Sequence, residues 1–284
     1  MVSRDVCGYE PDPAMLDGWR FVRRVVSWSV TDSTNARALE MARRREAGPG
    51  TLLLAGEQTA GRGRVGHDWH SAPDTGVYAT LVLAPADFQP KGAWGVSGGA
   101  SRDFQPGWLT LAAGVAVHRA LSALIGPDAE GALDLKWPND VLWNGRKVCG
   151  ILAESEAVDG GIAFVVLGIG INVGQERFPD AIRDRAVSLR TITGIGFSRR
   201  DVLARVLDAL DAALAALAQG RAGGVLAEWE RRSTYARGRR VEARTPGGAL
   251  RGVTDGLDPD GALRLRAPDG TVHLVHGGEI VDWA

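Results

Sequence analysis

The chain has 284 residues, a formal net charge of −1 at pH 7, 45% hydrophobic residues and 24% charged residues, a composition typical of a globular protein with a sizeable core. This near-neutral balance gives no overall basicity for binding nucleic acid or anionic lipid, so any positive patch must be local. Its two cysteines, Cys7 and Cys149, form no C-x-x-C motif, which argues against a disulfide framework or a cysteine zinc site and favours the reducing cytoplasm. No apolar run approaches membrane-spanning length and no signal-peptide pattern is seen, so the sequence predicts a soluble intracellular protein.

The N-terminal region predicts a strand that leads through a polar loop into a helix. We expect residues 1–18 to be a flexible N-terminus. Apolar and β-branched residues with period-two stretches predict a strand over 19–30. The run 31–35 is rich in N-cap residues and predicts the start of a helix, which Gly48 ends.

A glycine-rich stretch, AGRGRVG (residues 60–66), follows a predicted strand at 51–58 and precedes one at 77–85. Its glycines match the dinucleotide-binding pattern G-x-G-x-x-G, but that fingerprint requires a helix to begin inside the motif. The residues after it favour no helix, so 60–76 is predicted to be a long loop. Arg62 and Arg64 could close such a loop over an anionic ligand, and the alternative is a solvated flexible loop.

The middle of the chain holds a candidate insertion and then further helices and strands. Residues 88–107 contain Gly, Ser and Pro without periodicity and predict a surface insertion. An amphipathic helix, three strands and a helix with a Ser198 capping box are predicted in order at 110–126, 133–137, 147–158, 162–173 and 198–220. The strand at 162–173 is apolar on both faces, so we expect it at the centre of the sheet.

The C-terminal region has a different texture from the rest of the chain. From about Gly238, short alternating segments are separated by the turn signals Pro246-Gly247-Gly248, Pro259-Asp260-Gly261 and Pro268-Asp269-Gly270. Turns at this spacing predict a small all-β barrel. We therefore divide the chain into the N-terminus, a mixed α/β domain over 19–236, and a barrel over 237–284.

Several polar residues are candidates for binding, and each has a structural alternative. Lys136 lies at the end of a predicted strand, where open α/β sheets bind ligands, and could pair with a carboxylate or phosphate; it could also be an exposed lysine beside a turn. Asn172, in an apolar run, needs partners, which could be backbone, ligand or metal. The segment Ser33-Thr34-Asn35 could cap a helix or bind a polar head group.

The histidines and cysteines point away from metal and thiol chemistry. His67 and His70 have no companion at zinc-ligand spacing. Cys149, with no histidine near it in sequence, is interpreted as a small buried hydrophobe rather than a nucleophile.

Five segments in this order and at these separations carry a specific resemblance: DSTN (32–35), EQTAGRGRVGHDW (57–69), LKWPNDV (135–141), KVCGILAE (147–154) and GIGINV (168–173). Together they resemble the biotin–protein ligase family, also called biotin–[acetyl-CoA-carboxylase] ligases, over roughly residues 20 to 284. The resemblance implies an α+β, class II synthetase-like catalytic domain with a mixed sheet and flanking helices, plus a small SH3-like β-barrel. It also implies a two-step reaction, in which biotin and ATP give biotinoyl-5′-AMP and a carrier-protein lysine then accepts the biotin.

The resemblance assigns roles to residues of this sequence. Lys136 and Arg64 would be catalytic, with Lys136 bridging the biotin carboxylate and the α-phosphate. Biotin would be held by Ser33, Thr34, Asn35, Gln58, Arg62, Gly63, Arg64, Lys136 and Gly150. ATP would be held by Arg62, Arg64, Trp69, Lys136, Asn139, Lys147 and Asn172. Of these, Asn172 would act through Mg²⁺.

The resemblance also bears on partners and on departures from the family. It implies a biotin carboxyl carrier domain of an acyl-CoA carboxylase as partner, a monomer or weak homodimer, and a cytoplasmic location without membrane contact. Fewer than 25 residues precede the first predicted strand, so the helix-turn-helix domain of about sixty residues in repressor members is not expected, nor is DNA binding. The insertion at 88–107 is unusual for the family, and Val65 stands where some members have arginine.

Two other functions stay open at this point. A lipoate or octanoate transferase would share the fold and a functional lysine, but octanoyl transfer requires a nucleophilic cysteine and the lipoate ligases lack GRGR. A non-catalytic ligand-binding or RNA-binding module could use the same arginines, although neutral charge and the lack of interleaved aromatics disfavour it.

Overall fold

The computed structural model describes residues 7–88, 105–158 and 161–283. The helices of these residues are α1 (Pro13–Leu16), α2 (Thr34–Arg43), α3 (Pro106–Ile125), α4 (Leu189–Thr193), α5 (Arg199–Ala218) and α6 (Ala222–Arg231). The first seven strands are β1 (Arg24–Thr31), β2 (Thr51–Gln58), β3 (Gly76–Leu83), β4 (Leu133–Lys136), β5 (Asp140–Trp143), β6 (Arg146–Val158) and β7 (Gly161–Asn172). The last five are β8 (Arg237–Thr245), β9 (Gly248–Leu257), β10 (Leu263–Arg266), β11 (Val272–Val275) and β12 (Glu279–Asp282).

The larger domain is built on a seven-stranded mixed sheet with the order β1-β2-β3-β7-β6-β5-β4. Only β1 and β2 pair in parallel, and the other neighbours are antiparallel. Strand β7 lies in the middle, between β3 and β6, as the apolar pattern of 162–173 predicted. Its residues 165–169 are all buried, because helices cover both faces of the sheet at this point.

Helices α3, α5 and α6 cover one face of this sheet and α2 covers the other. Among the described residues, α3 is the one helix long and apolar enough to cross a membrane, but most of it is buried against the sheet and α5, as in a core helix. It begins at Pro106, four residues before the predicted start and inside the predicted insertion. Proline is favoured at the first helical position because the N–H it lacks would be unpaired there. The rest of that insertion, residues 89–104, lies outside the described residues.

The N-terminal segment does not form the flexible tail that we expected over 1–18, at least from residue 7 onwards. Tyr9 is 2% exposed, and its hydroxyl lies 3.0 Å from the carbonyl oxygens of Ala55 and Tyr78 and from the N–H of Tyr78. This contact closes the end of the β2–β3 ladder, whose last paired residues are Ala55 and Tyr78. The first strand correspondingly starts at Arg24 rather than at 19, because Trp19–Val22 pack into the core.

The C-terminal unit is a five-stranded antiparallel sheet with the order β11-β10-β9-β8-β12. It contacts the larger domain through two indole groups: Trp137 Nε1 donates to the Gly261 carbonyl at 3.1 Å and Trp108 Nε1 to the Pro259 carbonyl at 3.0 Å. Gly261 has φ +84°, a conformation that favours glycine. The predicted Pro259-Asp260-Gly261 turn therefore forms the contact between the two sheets.

The hydrogen bonds of Tyr9 predict a measurable contribution to stability. In Tyr9→Phe the buried backbone groups at Ala55 and Tyr78 lose their partner, so the free energy of unfolding should fall by about 1–3 kcal/mol. Equilibrium urea denaturation followed by tryptophan fluorescence measures this change. A decrease below about 0.5 kcal/mol, the range of ordinary surface substitutions, would show that the hydroxyl does not anchor the segment.

Candidate active site

Three glycines form the floor of a cleft on the α2 side of the sheet. Gly150 of β6 pairs with Gly170 of β7, and Gly168 lies two residues before Gly170 on the same face. A Cβ at Gly168 would lie 2.2 Å from Asn35 Oδ1, and one at Gly170 would lie 2.5 Å from the Trp69 ring. Because no Cβ is present, both side chains approach the sheet closely, and they border a cleft.

One end of this cleft is polar and uncharged. Ser33 caps α2 and accepts a hydrogen bond from the Ala36 N–H at 3.4 Å. Gln58 Oε1 accepts from the Thr34 N–H at 2.8 Å and lies 3.1 Å from Thr34 Oγ1. Ser33, Thr34 and Asn35 are each under 5% exposed. The side chains at the start of α2 are thus the same ones that the sequence analysis proposed for binding a polar head group.

Thr80 of β3 also belongs to this end, although the sequence analysis assigned it no role. Its Oγ1 lies 2.7 Å from Asn35 Oδ1 and 2.8 Å from Thr34 Oγ1, and its side chain is fully buried. The available signal was an aliphatic hydroxyl within the otherwise hydrophobic strand VYATLVL. A buried hydroxyl requires a partner, but only the folded sheet shows which one.

The segment 60–71 forms a narrow hairpin over the cleft rather than the open loop that was predicted. Trp69 N–H donates to the Gly61 carbonyl at 2.9 Å, and Gly63 N–H donates to the His67 carbonyl at 2.6 Å. Between these two hydrogen bonds the backbones of Arg62 and Asp68 pair as in an antiparallel sheet. A Cβ at Gly61 would lie 2.4 Å from the Trp69 carbonyl oxygen. The glycines thus allow two backbone segments to approach closely. A single 3₁₀ turn, Arg64–Gly66, joins these segments. The α-helix that a dinucleotide-binding G-x-G-x-x-G motif requires does not begin here.

The two arginines of the hairpin point to different ends of the cleft. Arg62 Nη2 lies 2.7 Å from Glu154 Oε1, beside the polar end. Arg64 Nη1 makes long contacts, 3.5 Å to Asn139 Oδ1 and 3.4 Å to the Gly278 carbonyl oxygen of the C-terminal unit. Burial lowers the pKa of Arg64 and the nearby Asp140 carboxylate opposes that shift, so the guanidinium keeps its charge in a partly desolvated position.

Of the two lysines that the sequence assigns to the site, this structure brings one to the cleft. Lys147 lines the cleft, with Nζ 2.6 Å from Asp140 Oδ1 and 5.5 Å from the centre of the Trp69 ring. Lys136 pairs with Asp140 in the β4–β5 ladder and therefore lies on the same face. Its Nζ, however, lies 5.6 Å from the Tyr235 ring centre, so this structure does not bring it to the cleft wall.

Asn172 lies apart from the other predicted site residues. Its Nδ2 donates to the carbonyls of Lys147 at 3.3 Å and Val187 at 3.1 Å, and its Oδ1 accepts from Gln175 Nε2 at 3.4 Å. It is 3% exposed and is not among the residues that line the cleft. In this structure its amide bonds to backbone and to a neighbouring amide, and its action through Mg²⁺ stays a prediction. Over the described ranges, no group of three or more His, Cys, Asp or Glu could hold a metal ion.

The cleft contains an unpaired donor but no thiol nucleophile. Trp69 Nε1 is buried without a hydrogen-bond partner, so an acceptor atom of a ligand in the cleft would offset its desolvation. Both cysteines are buried in the core on the other side of the sheet, and burial raises the pKa of Cys7 to about 12 and that of Cys149 as well. Neither supplies the nucleophile that octanoyl transfer requires.

Comparison with known proteins places this site in a family. A family model described as the biotin/lipoate A/B protein ligase family matches residues 27–172, and one described as the biotin protein ligase C terminal domain matches residues 237–281. The chain belongs to the biotin/lipoate A/B protein ligase family. The second match covers the five-stranded unit, so the small C-terminal barrel expected from the turn spacing is confirmed.

Individual relatives agree with this assignment over most of their length. The biotin–[acetyl-CoA-carboxylase] ligase of Mycobacterium tuberculosis is 35% identical, covering 93% of this chain and 90% of that one. The enzyme of the same name from Paracoccus denitrificans is 36% identical over 84% of this chain and 93% of its own. The structure of the Aquifex aeolicus biotin protein ligase in complex with biotin and ATP is 29% identical and superposes with a TM-score of 0.70 over 92% of this chain and 96% of its own. The biotin ligase fold with its mixed sheet is therefore confirmed.

The glycine floor predicts a steric effect of adding one methyl group. In Gly168→Ala the new Cβ would occupy the position of the Asn35 amide, so Asn35 must leave its hydrogen bonds. The free energy of unfolding should fall by about 1–3 kcal/mol, measured by urea denaturation. The control is Gly223→Ala in α6, whose Cβ would meet nothing within 4 Å and which should not destabilise the protein. Equal stabilities of the two variants would contradict the close approach of Asn35.

Proposed function

We propose that the protein is an ATP-dependent biotin–protein ligase, which activates biotin as biotinoyl-5′-AMP and then transfers it to a lysine of a biotin carboxyl carrier domain. The observation that carries this proposal is the composition of the cleft. A neutral hydrogen-bonding end and a cationic end share one floor of glycines, beneath a hairpin that contributes an arginine to each end. A neutral polar head group joined to an anionic tail fits this arrangement.

The neutral end suits the ureido ring of biotin, which carries both N–H donors and a carbonyl acceptor. We assign this ring to Ser33, Thr34, Asn35 and Gln58, which supply hydroxyl and amide groups already held by one another. Pre-formed polar groups discriminate against ligands that leave them unpaired. The same residues disfavour lipoate, whose dithiolane ring offers no such donors.

The cationic end suits the carboxylate and the phosphates. These anions repel one another by about 4 kcal/mol for each unit charge pair at 4 Å and an effective dielectric constant of about 20. We assign Arg62, Gly63 and Arg64 to closing the hairpin over them and Trp69, Asn139, Lys147 and Gly150 to the nucleotide side. We assign Lys136 to stabilising the charge that develops on the α-phosphate, a role for which its ammonium group must turn from Tyr235 toward the cleft.

The two steps balance without redox chemistry. A carboxylate oxygen of biotin attacks the α-phosphorus, the bond from that phosphorus to the bridging oxygen breaks, and pyrophosphate leaves. The amine of the carrier lysine then attacks the acyl carbon, AMP leaves with the bond electrons, and the amine loses a proton. Magnesium would neutralise part of the charge of the triphosphate, and Asn172 is the residue assigned to act through it. The closed hairpin limits access of water to the anhydride.

Other functions are less well supported by the site. An octanoyl transferase lacks its thiol in this cleft, since both cysteines are buried in the core. An RNA-binding module would expose its aromatic groups for stacking, whereas Trp69 lies close to the glycine floor. We further propose that the enzyme acts in the cytoplasm on the carrier domain of an acyl-CoA carboxylase, as a monomer or weak dimer.

Exchange of radioactive pyrophosphate into ATP tests the first half-reaction directly. We expect exchange that requires biotin and that lipoate or octanoate cannot support, because only biotin fills the neutral end. The purified protein is incubated with ATP, Mg²⁺ and each acid in turn. Exchange with lipoate but not with biotin would overturn the proposed function.

Alanine substitutions of the two lysines should change different kinetic parameters. Lys136→Ala should lower kcat of biotin-dependent exchange by about 10²–10³-fold, the usual effect of removing a donor that stabilises developing charge. Lys147→Ala should mainly raise KM for ATP, because Lys147 meets the ligand through ground-state contacts. Steady-state exchange at varied ATP measures both parameters. The reverse pattern would make Lys147 the catalytic lysine, consistent with its position in the ligand-free cleft.

A further inference from the structure

Glu154 places a carboxylate at the rim of a cleft assigned to an anion. It lies on β6 two residues after Leu152 and four after Gly150, so it is on the same face of the strand as these two residues of the cleft. One oxygen, Oε1, is 2.7 Å from Arg62 Nη2 of the hairpin. The other, Oε2, accepts from Asn35 Nδ2 at 2.9 Å. One carboxylate thus joins the hairpin to the neutral end of the cleft.

The contacts continue from this carboxylate to the other strand of the hairpin. Thr80 Oγ1 donates to Asn35 Oδ1 at 2.7 Å and accepts from Thr34 Oγ1 at 2.8 Å. The Thr34 N–H donates to Gln58 Oε1 at 2.8 Å, and Gln58 Nε2 donates to Ser71 Oγ at 2.8 Å. Ser71 Oγ in turn lies 3.4 Å from the Trp69 carbonyl oxygen. Both strands of the hairpin are therefore tied, through one chain of hydrogen bonds, to the side chains that form the neutral end.

A second ion pair on β6 provides a comparison, because its carboxylate has no bond to a side chain of the cleft. Glu156, two residues along, makes a bidentate pair with Arg43 at 3.1 and 2.8 Å. That arginine ends α2 and its side chain is 56% exposed. The hydrogen bonds of this pair join its two members to each other and to no residue that lines the cleft. Pairs of this kind contribute little to stability or binding. The difference at Glu154 is the second bond, to a buried amide of the site.

We propose that Glu154 is a positioning residue of the biotin subsite, which holds Arg62 and the Asn35 amide at once and so keeps the hairpin closed over the head group. The part of this proposal that concerns biotin rests on the proposed function. Its physical basis is pre-organisation: groups already fixed in the bound arrangement lose less entropy when the ligand arrives. Arg62 without its partner would be a long side chain free in solvent.

A role in positioning and a purely electrostatic role for Glu154 predict opposite changes in the affinity for biotin. If Glu154 acted only through its charge, removing that charge would favour binding of an anion, and affinity for biotin would rise. If it acts by positioning, glutamine leaves one acceptor oxygen for two donors, so Arg62 and Asn35 can no longer both be held, and affinity falls. The isosteric change Glu154→Gln removes the charge and keeps the size, so it separates the two cases.

The experiment compares Glu154→Gln with the matched control Glu156→Gln in the full-length protein. Ligand-free protein is digested briefly with trypsin, and cleavage after Arg62 and Arg64 is followed by mass spectrometry. Biotin Kd is measured by calorimetry and KM for ATP by pyrophosphate exchange. We expect Glu154→Gln to be cut several times faster in the hairpin and to raise biotin Kd about three- to tenfold, with KM for ATP changed less than about twofold. Glu156→Gln should match the wild type.

Equal hairpin cleavage and equal biotin Kd in the two variants would overturn the proposal, as would tighter biotin binding by Glu154→Gln. If the wild type binds no biotin, the proposed function fails, and the cleavage rates alone still decide whether Glu154 holds the hairpin. Should Glu154→Gln not fold, Glu154→Asp is tested in the same way, because its shorter side chain cannot reach both partners. Faster cleavage is then again the expected result, and cleavage at the wild-type rate the contrary one.

Discussion

The absence of Cβ atoms at the centre of the sheet is the constraint on which the site depends. Gly168 and Gly170 alternate with Ile169 and Ile171, so β7 presents isoleucines to the core and bare backbone to the cleft. Any larger residue at either glycine would displace Asn35 or Trp69. The nearest atom lies 2.2 Å from the position that a Cβ would take at Gly168 and 2.5 Å from that position at Gly170. The same strand therefore stabilises the fold with one face and makes room for a ligand with the other.

The cationic groups around this floor are each held by a partner. Arg62 pairs with Glu154 and Lys147 with Asp140, while the Lys136 ammonium lies over the Tyr235 ring. Unpartnered like charges in a partly desolvated cleft would repel one another. The carboxylates of Glu154 and Asp140 balance Arg62 and Lys147, while Arg64 and Lys136 keep an excess of positive charge beside the cleft. An anionic ligand then competes for cations that are already in place.

The C-terminal unit borders the site at two points. Gly278 provides the carbonyl that Arg64 approaches, and Gly261 accepts from the indole of Trp137. Trp137 belongs to the motif KWPND. The motif thus faces the barrel with Trp137 and the cleft with Asn139. The barrel is for this reason part of the environment of the active site and not a separate appendage.

The sequence by itself predicted most strands and helices of the larger domain, the central position of β7 and the barrel. These follow from periodicity, caps and turn residues, which are local, and the candidate site residues came from five motifs in a fixed order. Only the tertiary structure decided that the Asn172 amide bonds to two backbone carbonyls and to Gln175, that Lys147 borders the cleft and Lys136 does not, and that Tyr9 closes a ladder. It also revealed Thr80 and Glu154 as members of the site. The reason is physical: which partner a polar side chain finds depends on strand register and on contacts between residues far apart in the chain.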